Sequence, residues 1–341
     1  MSFDMKCCFI YQFNSKLAGG GNEFLKALHK NFTEKGYYTT QPKNAHFFLM
    51  NSHHSVEQIL LIKRKYPDKL FIHRIDGPMK VYNKSTDLRD NIVRLINRYV
   101  ADATIYQSKW SKQENINLKN SSTPNVTVIN NAPDPDIFNT INRSKFSSDR
   151  KPRLIACSWS SNRQKGFDTL NWLDNHLDFN CLEMTFVGNS PVVFKNIKHI
   201  PPVDKHKMAT LLKQSDLYIF TSKIEACSNA LLEALHCGLP VIGSNSSSNP
   251  EIIKKGGELF NTPSDIPQKI ELILKNYSAY QNSIKNNTLS EISDSYYLFM
   301  KKCMNEKKRF RPKRIRAFQY LHLRALLLLQ KIYGKYQSLI K

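Results

Sequence analysis

The sequence predicts an α/β protein built from two doubly wound halves and a group of basic C-terminal helices. Short apolar runs alternate with helical patterns along most of the 341 residues, and this alternation indicates βαβ units around a parallel sheet. The alternation stops once, at 131–153, where Pro, Asp, Ser and charged residues give the composition of a linker. The chain is also long enough for two domains, each with its own core.

The first half contains five apolar runs that favour buried parallel strands, because both faces of each run are apolar. The predicted strands are 7–13, 45–52, 69–78, 102–108 and 125–131. Between them, helical spacing predicts helices over 23–32, 56–66 and 88–101.

The pattern restarts after the linker. Strands are predicted at 153–159, 182–188, 217–222 and 240–244, and helices at 167–177, 204–215 and after Ser228. Beyond about residue 265 the chain is helical and increasingly basic. We therefore predict an N-terminal domain at 1–148, a C-terminal domain at 149–285, and helices with a basic tail at 286–341.

The net charge of +22 predicts an anionic partner, and it is concentrated at the C-terminus. Residues 301–341 contain 13 Lys or Arg against one Glu. This tail fits an interfacial helix on an acidic membrane surface, or a helix that packs on its own domain. Pro312 can open its last helix, and one stripe of that helix is apolar: Ile315, Phe318, Ala325, Leu329, Ile332, Tyr336 and Leu339. A nucleic-acid partner is supported by charge alone, since no recognised motif accompanies it.

Other features favour a cytoplasmic protein, peripheral at the inner face of a membrane if the tail binds lipid. Seven scattered cysteines without a CxxC pair are typical of free buried thiols in a reducing compartment. The N-terminus has no signal-peptide pattern, and no apolar run is long enough to span a bilayer.

Two carboxylates, Glu225 and Glu233, lie in or beside a helix that is otherwise apolar. Ser228 and Asn229 favour a helix start directly before the apolar run. Glu225 then lies on the preceding loop, and Glu233 lies about one turn inside the helix. The start of a helix can bind phosphate. Carboxylates on either side of it can accept hydrogen bonds from hydroxyls, and the combination indicates a site for a nucleotide-sugar. The alternative is a surface Glu beside a salt-bridged helix Glu.

Two further loops have the residue types of a phosphate site. Arg163 and Lys165 lie in a strand-to-helix turn with Gly166, and cations in such a turn suit a diphosphate. After the first strand, Gly20 and Gly21 in "AGGGNE" allow a ligand to reach the backbone. The alternatives are solvated loop cations and a flexible turn.

These segments resemble a known family. "EACSNALLEALHCGLPVIGS" at 225–244 is similar to the E-x7-E signature of retaining glycosyltransferases of family 4, which have the GT-B fold. "NRQKGFDTL" at 162–170 resembles the basic phosphate loop of that family, and 101–112, 128–138 and 249–260 resemble other segments of it. The resemblance covers residues 5–290 and implies two Rossmann-like domains that face each other across a cleft.

The resemblance also implies roles for individual residues. Arg163 and Lys165 would bind the donor diphosphate, Glu225 would contact the hydroxyls of the donor sugar in catalysis, and Glu233 would hold the ribose. The other donor-binding positions implied are Gly20, Gly21, Ser228, Asn229, Ala230 and Leu231. The chain departs from the family pattern at Ala226-Cys227-Ser228, where Gly-Phe-Gly is frequent, and at Ser160, where an Arg is usual.

In the N-terminal half, "FIHRIDGP" supplies catalytic candidates at the end of a strand, namely His73 and Asp76. The alternative for His73 is a packed strand histidine, because it precedes the strand end. We expect no metal or other cofactor: the sequence has no Cys/His cluster at ligand spacing, and "DPD" at 134–136 is interpreted as a turn.

The sequence therefore predicts a retaining glycosyltransferase of the hexosyltransferase type. It would move a sugar from a nucleotide-diphosphate sugar to the hydroxyl of an acceptor, in surface glycan or glycolipid synthesis. One alternative is a sugar-nucleotide epimerase of the same fold. The other is a non-catalytic protein that binds anionic membrane or nucleic acid.

Overall fold

The computed structural model describes residues 5–14, 20–83, 87–121, 123–306 and 312–339. These residues form two compact units. Unit 1 contains the described residues of Met1–Phe13, Leu28–Asn130 and Ser290–Lys341, and unit 2 contains those of Asn14–Ala27 and Asn131–Leu289.

Unit 1 contains a sheet of five parallel strands whose spatial order is their order in the chain. The strands are β1 (Cys7–Ile10), β2 (Phe47–Asn51), β3 (Leu70–Ile75), β4 (Ala103–Tyr106) and β5 (Asn125–Val128). Apolar side chains fill both faces of β1 and β2, as buried parallel strands require. The register pairs Asn51 with Arg74, so polar side chains meet at the carboxyl ends of β2 and β3.

Five helices connect these strands or precede them. They are α1 (Gly20–Glu34), α2 (Val56–Lys65), α3 (Met79–Tyr82), α4 (Arg89–Tyr99) and α5 (Lys109–Asn117). The first part of α1, through Ala27, falls in unit 2. The apolar stripe of α4, with Ile92 and Ile96 fully buried, packs into the core that contains Phe48 and Phe71.

Unit 2 contains a sheet of six parallel strands in the order β11-β10-β9-β6-β7-β8. Their bounds are β6 (Arg153–Ser158), β7 (Glu183–Gly188), β8 (Lys198–Ile200), β9 (Leu217–Phe220), β10 (Val241–Ser244) and β11 (Gly257–Phe260). The chain builds the sheet outward from β6 to β8, then returns to the other side of β6 and continues from β9 to β11. The direction of winding therefore reverses between β6 and β9.

Helices cover the sheet of unit 2. They are α6 (Phe167–His176), α7 (Lys205–Gln214), α8 (Asn229–His236), α9 (Asn249–Ile253), α10 (Ile266–Lys275) and α11 (Tyr277–Asn282). A 3-10 turn, Arg163–Lys165, precedes α6. The leucines of α8 that the sequence placed in the core, Leu231, Leu232 and Leu235, are buried there.

The C-terminal helices α12 (Leu289–Glu306) and α13 (Ala317–Leu339) pack on unit 1. Tyr297 of α12 stacks on Tyr37 with ring centroids 3.7 Å apart. Leu323 of α13 is fully buried in the same core as α4. Residues 286–341 were predicted as a separate segment, but their described part from Ser290 onward belongs to the N-terminal unit because these apolar contacts are made there.

The segment 131–148, which has the composition of a linker, belongs to unit 2. Ile137 and Phe138 are buried in its core. Arg143 donates to the Cys237 carbonyl at 2.9 Å and to the Tyr277 hydroxyl at 2.6 Å. The division thus falls at Asn130 and Asn131, not at residue 148 as the sequence predicted, because the apolar and hydrogen-bonding residues of this segment have their partners in unit 2.

The predicted fold class is confirmed: all nine predicted strands are present, in two parallel sheets flanked by helices. The short strands β8 and β11 were not predicted. All seven cysteines are free thiols. Within the described ranges, none of the helices combines the length and the apolar character that crossing a bilayer would require.

Candidate functional site

The candidate site of unit 2 lies where the winding of its sheet reverses. Ligands of open α/β sheets bind outside the carboxyl ends of the strands at such a reversal. The chain leaves β6 into the turn Arg163–Lys165 and leaves β9 into the loop that contains Glu225. The two loops that the sequence singled out therefore start on either side of the reversal.

Lys165 and Glu225 meet at this edge. The Lys165 ammonium lies 2.6 Å from Oε1 of Glu225, and the Ser222 hydroxyl donates to the same oxygen at 2.6 Å. The two charged side chains keep 21% and 14% of their surface exposed. The pair is thus held in place by protein contacts but remains accessible to a ligand.

The loop that carries Glu225 is fixed through its backbone by the serine-rich segment after β10. The Glu225 N–H donates to the Ser247 hydroxyl at 3.0 Å, and the Ser248 N–H donates to the Glu225 carbonyl at 3.3 Å. Asn249, fully buried, donates to the Ser222 carbonyl at 2.9 Å. Sequence reasoning missed these supports, although the run "SNSSSN" after a predicted strand could have indicated them.

Gly166 brings the turn with Lys165 against the end of β9. Its φ of +77° lies in the left-handed region, and a Cβ at this position would lie 2.1 Å from the Thr221 carbonyl oxygen. The Thr221 hydroxyl in turn donates to the Lys165 carbonyl at 2.7 Å. Only glycine permits this approach. Arg163 is exposed, and among the described residues its guanidinium has no hydrogen bond or ion pair.

The start of α8 is capped as predicted. The Ser228 hydroxyl accepts a bond from the Leu231 N–H at 3.3 Å, so this amide, which the sequence assigned to phosphate, is used by the cap. Asn229 and Ala230 form the first turn of the helix, where backbone amides carry partial positive charge. Asn131 donates to the Asn229 side chain at 2.8 Å and to the Cys227 carbonyl at 3.3 Å, a support that the sequence did not reveal.

Glu233 lies half-buried on α8, and its carboxylate has no hydrogen bond or ion pair within the described residues. Burial, and secondarily the Glu23 carboxylate, raise the pKa of Glu233 to about 7, while the Lys205 ammonium acts in the opposite direction. Glu23 lies in the first turn of α1, which begins at Gly20 and Gly21. Gly20 and Gly21 therefore begin the helix whose Glu23 acts electrostatically on the Glu233 carboxyl group.

The edge of unit 1 is built around Asp76. Arg74, fully buried, donates to Asp76 Oδ1 at 2.9 Å and to the Asn51 side chain at 2.6 Å. The Gln107 amide also donates to Asp76 Oδ1. Asp76 nevertheless keeps 23% of its side chain exposed, so one face of an oriented carboxylate remains accessible at the end of β3.

His73 does not reach the surface of this edge. Its exposure is 0%, its Nε2 is 2.8 Å from the Ser52 carbonyl, and its Nδ1 is 3.3 Å from the Asn97 amide. Burial lowers the pKa of His73 to about 4, which matches a neutral ring that donates from Nε2. The geometry favours the packed strand histidine over the catalytic role, because no ligand atom can contact a ring that is enclosed in this way.

Two histidines that sequence reasoning missed lie at the same edge as Asp76. His53 and His54 follow β2, with ring centroids 4.3 Å apart, and Tyr11 contacts His54 edge-on at 5.4 Å. Burial lowers the pKa of both rings, that of His53 to about 4, and the Asp76 carboxylate raises it slightly. The pair "HH" after a predicted strand was the available signal. These rings are neutral near pH 7, and the Asp76 carboxylate is close enough to act on the pKa of both.

Metal ligation is not indicated in the described parts of the chain: no group of three or more His, Cys, Asp or Glu side chains is placed to hold an ion there. The "DPD" segment forms a turn in which the Asp134 carboxylate accepts from the Asp136 N–H at 3.1 Å. The charged side chains at the edge of unit 2 include those of Lys165, Arg163 and Glu225.

Comparison with known proteins finds a resemblance to a family in the same region. Residues 193–290, which include Glu225, α8 and Glu233, match the profile of the family described as Glycosyl transferases group 1. The capsular polysaccharide biosynthesis glycosyltransferase CapH of Staphylococcus aureus is 26% identical over 185 residues. The match spans half of this chain and half the length of CapH.

Two solved structures are similar over nearly the whole chain. Sucrose-phosphate synthase from Thermosynechococcus elongatus has a TM-score of 0.62 at 12% identity, over 98% of this chain and 99% of that one. HepE of Anabaena, solved with UDP-glucose, has a TM-score of 0.62 at 15% identity, over 90% of this chain and 100% of HepE. At these identities the likeness shows the fold, which is the GT-B type that the sequence predicted.

Proposed function

We propose that the protein is a retaining glycosyltransferase that moves a sugar from a nucleotide-diphosphate sugar to the hydroxyl of an acceptor, in the synthesis of a surface glycan. The observation that carries the proposal is the Lys165–Glu225 pair at the reversal of the unit 2 sheet. It is supported by the family match over residues 193–290, by the similarity to CapH, and by the UDP-glucose bound to HepE.

The charged groups suit the departure of a nucleoside diphosphate. Negative charge grows on the diphosphate as the bond to the sugar breaks, and preorganised cations and helix-start amides stabilise it. Lys165 and Arg163 supply the cations, and the first turn of α8 supplies the amides. We propose that these groups replace a metal ion, and that Glu225 binds hydroxyls of the donor sugar while Glu233 binds the ribose.

We assign the acceptor to the edge of unit 1. The accessible face of Asp76 can accept a hydrogen bond from an acceptor hydroxyl, and the contact with Arg74 orients this carboxylate. The neutral rings of His53 and His54 provide flat apolar surfaces with polar nitrogens, which suit a sugar ring. His73 has no part in this assignment.

The test uses the purified full chain with UDP-, GDP- and ADP-sugars. Calorimetric titration identifies the donor that binds, and nucleoside diphosphate release measures turnover with candidate glycan acceptors. Proton NMR of the product then reports the anomeric configuration, which we expect to match that of the donor. Failure of every sugar nucleotide to bind would contradict the proposal, and an inverted product would contradict only the retaining mechanism.

The two alternatives give different results in the same experiment. An epimerase would convert the donor alone into a free epimer without any acceptor. A non-catalytic anion-binding protein would show no affinity for sugar nucleotides, but would bind nucleic acid or lipid with a steep dependence on salt.

A further inference from the structure

Helix α13 is apolar on two opposite faces, and among its described side chains, up to Ile332, only one of these faces is packed. Leu323 is fully buried, and Tyr320, Leu326 and Leu327 pack against the same core of unit 1, which includes the inner faces of α2 and α4. This face explains why the helix docks on the unit. A helix that served only as a cover for unit 1 would be polar on its outer face.

The outer face is instead a stripe of large apolar side chains, each more than half exposed. They are Phe318 (59%), Leu321 (64%), Leu328 (60%), Leu329 (56%) and Ile332 (56%). At 100° per residue these five positions fall within about 100° of the helix circumference. A soluble monomer rarely leaves so continuous an apolar stripe exposed unless it binds something.

The charged side chains of residues 312–339 are all basic, although two of them pair with acidic residues outside this segment: Arg314 with Asp68 and Lys331 with Glu57. Between Pro312 and Leu339 the sequence has six Lys or Arg and no Asp or Glu. Arg324 and Lys331 follow the stripe along one side, and Arg314 and Arg316 precede the helix. Arg314, with 75% of its side chain exposed, is available to an anionic partner even though it contacts Asp68.

We propose that the outer face of α13 docks on an anionic lipid bilayer. Phe318, Leu321 and Leu328 would enter the boundary between headgroups and acyl chains, and the basic residues would meet lipid phosphates. An apolar stripe flanked by Lys and Arg is the pattern of a helix that lies in this interface. A second copy of the chain is a poorer occupant, because a symmetric contact would bring the same basic flanks together. This docking does not depend on the proposed transferase activity.

The experiment measures sedimentation of the full chain with vesicles of phosphatidylcholine and with vesicles that also contain phosphatidylglycerol. We expect binding to the anionic vesicles that weakens with added salt, and little binding to the neutral ones. Leu321→Ser combined with Leu328→Ser should weaken binding at least about tenfold, since two apolar side chains lose their burial. Arg316→Gln combined with Arg324→Gln should weaken it about thirtyfold.

Matched variants control for general effects. Ile141→Ser with Val193→Ser removes two apolar side chains that are 66% and 90% exposed on unit 2, and Lys198→Gln with Lys207→Gln removes two exposed charges there. Both should leave vesicle binding unchanged. Circular dichroism verifies that each variant is folded, which we expect because the substituted side chains lie outside the cores.

Three outcomes would overturn the proposal. They are no binding to either vesicle, equal binding to both, and equal loss in the α13 variants and their controls. Sedimentation velocity without lipid tests whether a second copy of the chain binds this face. If the chain self-associates, and Leu321→Ser with Leu328→Ser abolishes the self-association, the face binds a second copy instead of lipid.

Discussion

The two sheet edges use charged residues in opposite ways. In unit 2, Lys165 and Glu225 belong to different loops, meet at 2.6 Å and stay partly exposed. In unit 1, Arg74 is fully buried and is bonded to Asp76 and Asn51, and His73 is enclosed. In unit 2, a ligand can replace the contact between Lys165 and Glu225. In unit 1, most of the polar side chains at the edge serve to orient the Asp76 carboxylate.

Sheet order accounts for part of this difference. The winding of unit 2 reverses between β6 and β9, and the carboxyl ends of the strands at such a reversal are where ligands of open α/β sheets bind. The strands of unit 1 follow each other in chain order, and such an order has no reversal among the described strands. This difference in sheet order is consistent with our proposal of an anionic donor at unit 2 and an acceptor hydroxyl at the edge around Asp76.

The largest effect that we expect comes from Lys165→Ala. The substitution removes the cation proposed for the diphosphate and the ionic partner of Glu225. Removal of one such electrostatic group should lower kcat about a hundredfold or more, but it should change unfolding stability by only about 1 kcal/mol because the pair is near the surface. Steady-state kinetics and urea unfolding measure the two quantities.

Lys223→Ala is the matched control for Lys165→Ala. Lys223 lies in the neighbouring loop after β9, its side chain is exposed, and its N–H donates to the Gln164 carbonyl. Its loss should alter kcat less than threefold, as a solvated charge contributes little. Equal losses from the two variants would show that general positive charge at the edge is sufficient, and that the pair has no specific role.

The second prediction concerns His73, and it distinguishes packing from catalysis at the edge of unit 1. His73→Leu keeps the volume similar but leaves the Ser52 carbonyl without the partner that it has at 2.8 Å. A buried carbonyl that loses its donor should cost about 2 kcal/mol of unfolding free energy. Urea denaturation of His73→Leu and the wild type measures this cost.

His54→Leu provides the comparison, since this ring is half-buried and contacts Tyr11 only edge-on. We expect a smaller loss of stability there and a larger rise in KM for the acceptor. If His73→Leu kept full stability and lost kcat, the ring would have a catalytic role and the packed interpretation would be wrong.

Local patterns predicted the fold well because buried parallel strands are apolar on both faces. The strands that were not predicted are the exceptions to this pattern. β8 has the sequence Lys-His-Ile, and β11 starts at Gly257 with Glu258 next to it, so neither forms an apolar run. The contact between Tyr297 of α12 and Tyr37 could not be predicted from the sequence either, because periodicity gives no information about pairs of residues so far apart in the chain.

The sequence indicated which loops form the candidate site, but not the contacts that their side chains make. The rule that ligands bind at the carboxyl ends of parallel strands put Lys165 and Glu225 on one edge. Their direct ion pair, and the use of Ser222 and Ser247 to hold Glu225, depend on side-chain conformations and loop closure. His73 was ambiguous because its position before the strand end does not determine its burial.

The smallest effect that we expect concerns Glu233 and the pH dependence of donor binding. Its carboxyl group has a pKa of about 7, above the ordinary value of 4.5, chiefly because it is buried. Only the ionised form offers two charged oxygens as acceptors to the two ribose hydroxyls. Donor binding should therefore tighten about fivefold between about pH 6 and about pH 8, since a bond to a charged acceptor is stronger by roughly 1 kcal/mol. Calorimetric titration at both pH values measures this change.

Glu233→Gln should remove this pH dependence, because an amide does not titrate in the range. The same raised pKa has a consequence for stability: the folded state holds the proton more tightly than the unfolded state. The stabilising contribution is therefore complete below about pH 4.5 and disappears as the pH rises through about 7. Glu233→Gln should flatten this part of the stability profile as well. Donor binding that weakens toward high pH would mean that the protonated, neutral carboxyl group of Glu233 donates to the ligand, and the proposed role of Glu233 as an ionised acceptor for the ribose would be wrong.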